Sequence, residues 1–253
     1  MMKKITLQGN RGNLDCLLFE PETEPCGSVL FLPGMPGTDQ NEDIAEMLCR
    51  SRLRILCLSY SGSNKSDGSY SIENALEDSE TAYAYLYESD PGRVSILGHS
   101  MGGFVCARLA AGHPDTRAAV MMFPCDIGRL PLWETESFMT SELVKDFFYT
   151  HTARLKGTSS DHLLAEVFAN ADRYSLVHLA PRLARIPLYM IGGTKDYYAP
   201  PALNCAPLKE AIEKESGSGG SLFYQEFPAG HYGAESRGEI SRSILSFLTR
   251  YYS

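Results

Sequence analysis

Ser100 is the first residue in this chain whose setting suggests chemistry. It lies in Gly98-His99-Ser100-Met101-Gly102-Gly103 and is the only serine with glycine two places to either side. A serine hydroxyl is a poor nucleophile at neutral pH. An imidazole close enough to take its proton turns it into an attacking group for acyl carbonyls. The chain has 6 histidines from which such a base could come.

The segments flanking Ser100 strengthen the reading. The apolar run Val94-Ser95-Ile96-Leu97 leads straight in, and Phe104–Ala111 reads as a helix directly after. A strand, a sharp turn and a helix make a nucleophile elbow, in which the serine backbone is strained and its Oγ is lifted clear of the sheet. Glycines at 98 and 102 let the two segments approach closely. The alternative is a glycine-rich turn that only packs, or that holds phosphate at a helix N-terminus. A phosphate loop usually offers lysine or more glycines than this one.

The rest of the chain supplies elements of the same kind. Lys3–Gln8 and Leu14–Glu20 alternate in polarity around Gly9-Asn10-Arg11-Gly12 and predict a strand pair. Ser28–Leu32, Arg54–Leu58, Val94–Leu97, Ala118–Phe123, Leu188–Ile191 and Leu222–Phe227 are short continuous apolar runs, as in strands buried on both faces. Helical spacing lies between them: Ile44, Met47 and Leu48; then Ile72, Ala75, Leu76, Ser79, Tyr83 and Leu86, with Ser71 as N-cap; and finally Ile240, Ile244, Phe247, Leu248 and Tyr251. This alternation predicts an α/β fold: a mostly parallel central sheet of about eight strands, flanked by helices.

About 60 residues separate Phe123 from Leu188, more than one crossover helix needs. Leu143, Val144, Phe147 and Phe148 form one amphipathic set there, and Leu163, Leu164, Val167 and Phe168 another. Residues 125–186 are therefore expected to be a helical cap inserted after the sixth strand, with 1–124 and 187–253 as the core. Gly217-Ser218-Gly219-Gly220 reads as a flexible surface loop.

On the elbow and this alternation, the chain resembles the α/β-hydrolase superfamily over nearly its whole length. The resemblance implies an acid after a late strand and a histidine after the last one. Leu188–Asp196 is a run that enters a turn ending in Asp196, and Phe223–His231 is a run followed by His231. The implied roles are Ser100 as nucleophile, His231 as general base and then acid, and Asp196 as the acid that orients it. Asp126, which follows the Ala118–Phe123 run, is the alternative acid. The oxyanion would be met by the backbone N–H of Met101 and, from Leu32-Pro33-Gly34-Met35-Pro36-Gly37, that of Met35. Relatives often have His-Gly where this chain has Pro33-Gly34, which puts the hydrogen bonding of this loop in question. Ser59–Gly68 stands where relatives often carry Arg-Gly-x-Gly-x-Ser, and reads as a rim of the site without a catalytic role. His99 and His113 read as structural or surface residues, and His151, His162 and His178 as solvated or packed ones.

Trp133, Phe138, Phe147, Phe148 and Phe168 are the candidates for an apolar substrate pocket, with Met139 and Tyr149 nearby. The resulting expectation is a serine hydrolase of the carboxylesterase type, acting on small to medium acyl or aromatic esters through an acyl-enzyme, with no cofactor and no metal. Some resemblance to the catalytic domain of the prolyl oligopeptidase group makes amide or peptide hydrolysis the alternative. A hydrolase-like ligand sensor with little turnover is a further one.

Composition bounds the partners. Lys+Arg 23 against Asp+Glu 31 leaves a formal charge of −8, and no basic cluster is present, which argues against nucleic acid. No apolar run approaches the roughly 20 residues of a membrane span, and no secretory leader is evident. The 7 cysteines are odd in number and lack Cys-x-x-Cys spacing, as free thiols in a reducing compartment would. The expected location is cytoplasmic and the expected partner a small-molecule ester, without stable membrane association. A homodimer is left open.

Overall fold

Alternate residues of the central apolar runs point to opposite sides of one sheet, so each run feeds two cores. Leu30, Leu32, Ile96, Met121 and Met190 face one side. Val29, Phe31, Leu97, Val120, Met122 and Ile191 face the other. The computed structural model describes residues 1–35, 41–216 and 220–252. Pro36 and Gly37 lie outside the described residues, as does the flexible-loop expectation at 217–219.

The sheet has eight strands in the order β1-β2-β4-β3-β5-β6-β7-β8. These are β1 (Met2–Gly9), β2 (Gly12–Phe19), β3 (Gly27–Leu32), β4 (Leu53–Leu58), β5 (Val94–His99), β6 (Ala119–Met122), β7 (Leu188–Gly193) and β8 (Leu222–Phe227). β1 and β2 form the expected antiparallel pair, β2 is antiparallel to β4, and all remaining pairings are parallel. Residues of β3, β5, β6 and β7 are buried throughout. β8 departs from the expectation of burial on both faces. It pairs only with β7 at the sheet edge, and Phe223 is left exposed.

Helices α1 (Glu42–Arg50) and α10 (Arg237–Thr249) cover one face through Ile44, Leu48, Ile240, Ile244 and Phe247. Helices α2 (Ile72–Ser89) and α3 (Met101–Gly112) cover the other. Ser71 caps α2 as its sequence position predicts, with its Oγ accepting from the Asn74 N–H at 3.0 Å. Between β6 and β7 the chain is helical: α4 (Leu130–Glu136), α5 (Phe138–His151), α6 (Ser160–Ala169), α7 (Ala171–Tyr174) and α8 (Ala180–Leu183). Trp133, Val144, Phe148, Leu163, Val167 and Tyr174 join the core on the α2–α3 side, so these helices share one apolar interior with the sheet. Glu166 of α6 ties them down: its carboxylate accepts from the N–H groups of Ile72 and Glu73 at 3.1 and 3.0 Å, in the first turn of α2. Helix α9 (Pro201–Ser216) buries Asn204, Cys205, Leu208 and Ile212 despite Pro207 in its interior; that proline hides it from a reading by periodicity. Among the described residues, no helix is long and apolar enough to cross a membrane.

Candidate active site

β5 ends and α3 begins at Ser100, whose backbone takes φ 55° and ψ −119°, a region that residues with a side chain rarely enter. The surrounding structure enforces it. The Ser100 N–H donates to Met122 O of β6 at 2.9 Å, while Ser100 O accepts from the N–H groups of Gly103 and Cys125. The glycines are required by the space available. A Cβ on Gly98 would stand 1.9 Å from Gly102 O, and one on Gly102 would stand 2.2 Å from Leu32 O. No larger residue fits a turn this close to β3.

The two downstream residues implied by the resemblance come to this serine from the ends of other strands. Asp196 follows β7, and His231 follows β8. His231 Nε2 lies 2.7 Å from Ser100 Oγ, and its Nδ1 lies 2.7 Å from Asp196 Oδ2. Because a carboxylate only accepts, Nδ1 carries the proton and donates it to Asp196, which leaves Nε2 to accept from the serine hydroxyl. The other carboxylate oxygen, Oδ1, accepts from the N–H groups of Tyr198 and Ala199, each at 2.9 Å. All three side chains are buried. His99 Nε2 bonds His231 O at 2.9 Å, so the histidine inside the elbow is a support for the second one, in keeping with its structural reading.

Asp126 is elsewhere. Both its oxygens lie 3.1 Å from the Leu176 N–H, and its own N–H donates to Asn204 Oδ1 at 2.8 Å. Burial raises its carboxyl to about 7 against the opposing pull of the Leu176 N–H and Arg129. The remaining histidines lie away from Ser100. His113 pairs with Glu80, His151 bonds Phe147 O, His178 pairs with Asp172, and His162 is exposed.

A narrow pocket with about 30 Å³ of free volume opens over Ser100. Met35 and Met101 line it, and the N–H of Met101 belongs to the first turn of α3, where no intrahelical acceptor exists. Where the histidine of relatives is replaced by Pro33, the loop is fastened from another side: Tyr60 OH donates to Pro33 O at 3.2 Å. Tyr70 OH likewise reaches Met101 Sδ at 2.8 Å. The stretch between these tyrosines does not line the pocket, contrary to its reading as a rim. It is bound to the inserted helices through Lys156, whose N–H donates to Gly62 O and whose Nζ reaches Ser66 O.

Of the five aromatic candidates, Phe147 and Phe148 line the pocket. Trp133, Phe138 and Phe168 do not, and helical phase explains each. The inner face of α5 runs through Thr140, Ser141, Val144 and Phe148, which leaves Phe138 in the first turn 68% exposed. α6 turns Leu163 and Val167 inward and carries Phe168 round to its partly exposed side. Trp133 is wholly buried in the shared core. The lining residues not anticipated are Cys125, Ile127, Val144 and Tyr198. Cys125 and Ile127 lie just past the carboxyl end of β6, the edge where ligands of such sheets bind, so position alone could have marked them.

Comparison with known proteins bears on the fold. A family model described as the alpha/beta hydrolase fold matches residues 27–148. The multifunctional-autoprocessing repeats-in-toxin protein of Vibrio cholerae is 34% identical over 121 residues, which cover 43% of this chain and 3% of that one. Protein bem46 of Schizosaccharomyces pombe is 26% identical over 152 residues, covering 59% of this chain and 44% of that one. The matched stretches thus span less than half the length of either curated relative. Among solved structures, an esterase of Pyrococcus furiosus superposes with a TM-score of 0.72 at 15% identity, covering 100% of this chain and 92% of that one. With this sheet order, the strained serine between β5 and α3, and these matches, the chain has the α/β-hydrolase fold.

Proposed function

We propose that this protein is a serine hydrolase that cleaves uncharged carboxylic esters, of small to medium acyl or aromatic type, through an acyl-enzyme. The observation that carries the reading is the unbroken path Ser100 Oγ, His231 Nε2, His231 Nδ1, Asp196 Oδ2, with both hydrogen bonds at 2.7 Å, beneath an apolar pocket. The esterase among the structural neighbours supports it.

Ser100 Oγ attacks the ester carbonyl carbon as its proton passes to His231 Nε2. The carbonyl oxygen becomes an oxyanion held by the N–H groups of Met101 and Met35, where a single donor of this kind contributes on the order of 100-fold or more in rate. Asp196 stays ionised and stabilises the imidazolium. The carbon–oxygen bond to the alcohol then breaks, and His231 gives its proton to the departing oxygen. Water attacks the acyl-enzyme by the same route in reverse: its proton goes to His231, the acid departs, and Ser100 recovers its hydrogen. No cofactor enters these steps.

The pocket lining supports an uncharged substrate, since it includes no lysine, arginine, aspartate or glutamate among the described residues. Burial pushes the Cys125 thiol up, so it too is neutral. Five lining residues come from 125–186, which supports a cap role for that segment. Seven free cysteines support a cytoplasmic, reducing location. Labelling with a fluorophosphonate tests the central assignment. The wild-type protein should be labelled and Ser100→Ala should not, and a panel of p-nitrophenyl esters and matching anilides should show turnover of the esters. Labelling that survives Ser100→Ala would overturn it.

A further inference from the structure

Two tyrosines follow Asp196, and only the second lines the pocket. Tyr197 is 73% exposed, whereas Tyr198 is half-buried and lines the pocket. The backbone N–H of Tyr198 is fixed on Asp196 Oδ1 at 2.9 Å, so this side chain starts from the same carboxylate that orients His231. Its ring stands edge-on to Phe147 of α5, with centroids 5.3 Å apart and planes at 61°, and lies 5.7 Å from the His231 ring. It therefore sits between the inserted helices and the base. The hydrogen bonds of Tyr198 among the described residues end at its backbone, and the hydroxyl has none.

The rest of the wall sharpens this. Leaving aside Ser100 and His231, the side chains around the pocket are two methionines, an isoleucine, a valine, two phenylalanines, Cys125 and Tyr198. A thiol is a weak donor and the phenol is a strong one. An alkyl chain entering such a pocket would strip water from the phenol and return no hydrogen bond, whereas a ligand oxygen at the same place would satisfy it.

We propose that Tyr198 is a specificity-determining residue: its hydroxyl donates to a substrate oxygen remote from the scissile carbonyl, which favours uncharged esters that carry a second ether, keto or hydroxyl oxygen. This rests on the hydrolase reading above. The phenol and the acid that orients His231 share one hydrogen-bonded turn, so the second oxygen is measured against the same frame that aligns the base.

The test compares wild type with Tyr198→Phe, which keeps the ring and its contacts and removes only the hydroxyl. The substrates are isosteric pairs that differ by CH₂ against O: p-nitrophenyl butanoate and methoxyacetate, p-nitrophenyl pentanoate and 3-methoxypropanoate, and, on the alcohol side, butyl and 2-methoxyethyl acetate. Intrinsic reactivity cancels when the kcat/KM ratio within a pair is compared between the two enzymes. In at least one pair the preference for the oxygen-bearing member should be about fivefold greater in wild type than in Tyr198→Phe, as for a single neutral hydrogen bond. Equal ratios in every pair, with both enzymes turning over, would overturn the proposal and leave the hydrolase reading standing. An absence of ester turnover together with an unlabelled Ser100 would overturn both.

Discussion

Asp196 divides its carboxylate between two tasks: Oδ2 takes the Nδ1 proton of His231 at 2.7 Å, while Oδ1 gathers the N–H groups of Tyr198 and Ala199. The aspartate is held by its own turn and cannot swing away from the imidazole without breaking two backbone hydrogen bonds. The tautomer of His231 is set by a carboxylate that is itself hydrogen-bonded to its own turn.

Replacing that carboxylate should be costly and specific. Asp196→Asn keeps the turn but presents an amide to His231 Nδ1, which favours the wrong tautomer, and kcat for p-nitrophenyl esters should fall by about 10⁴. Asp126→Asn should retain kcat within a few fold, because Asp126 bonds Leu176 and Asn204 and does not touch His231. Steady-state kinetics on the two variants checks the choice of acid. The reverse order of damage would contradict it.

Asp126 should appear in stability instead. Its carboxyl titrates near 7 in the fold and near 4 in the unfolded chain, so the native state holds the proton more tightly. Its contribution is fully present below pH 4 and is lost as pH rises through 7. Asp126→Asn is uncharged throughout. Its Tm relative to wild type should climb between pH 4 and 7 and level off above, with a net gain of roughly 10 °C. Thermal melts across that range measure it; a flat difference would contradict the burial argument.

Phe147 and Phe138 belong to one helix but should behave differently. Phe147 lines the pocket, so Phe147→Ala opens space and should shift preference toward longer or wider acyl groups by about 10-fold in relative kcat/KM. Phe138 is exposed and outside the pocket, so Phe138→Ala should leave the chain-length profile as it is. An ester panel from acetate to octanoate reads both.

Glu166 fastens the inserted helices to the start of α2. Glu166→Ala leaves the first-turn N–H groups of Ile72 and Glu73 without their acceptor and should cost about 1–2 kcal/mol in urea unfolding. Hydrogen exchange should increase at those two amides more than in β5 or β6.

Much of this molecule could be read along the chain because the signals are local. The continuous apolar runs mark β3 to β7, since a strand covered on both faces has no polar side to show. Glycines at 98 and 102 mark a turn that admits no Cβ, and so single out Ser100. Asp196 and His231 could be named because the resemblance to the α/β-hydrolases implies an acid and a histidine after late strands, and each of these residues follows such a run. What the chain order could not reveal was which side of a helix faces the serine. Trp133, Phe138 and Phe168 are aromatic and close in sequence to Phe147 and Phe148, yet a change of 100° per residue in helical phase sends them to the core or to solvent. The same holds for Tyr198, whose place in the pocket wall goes with a backbone hydrogen bond to a carboxylate that follows β7, and for β8, whose exposure follows from having no neighbour beyond it. Sequence by itself marked most of the strands and the candidate nucleophile, because backbone sterics and burial act at short range. Only the tertiary structure decided the walls of the pocket, because those are set by packing between segments far apart in the chain.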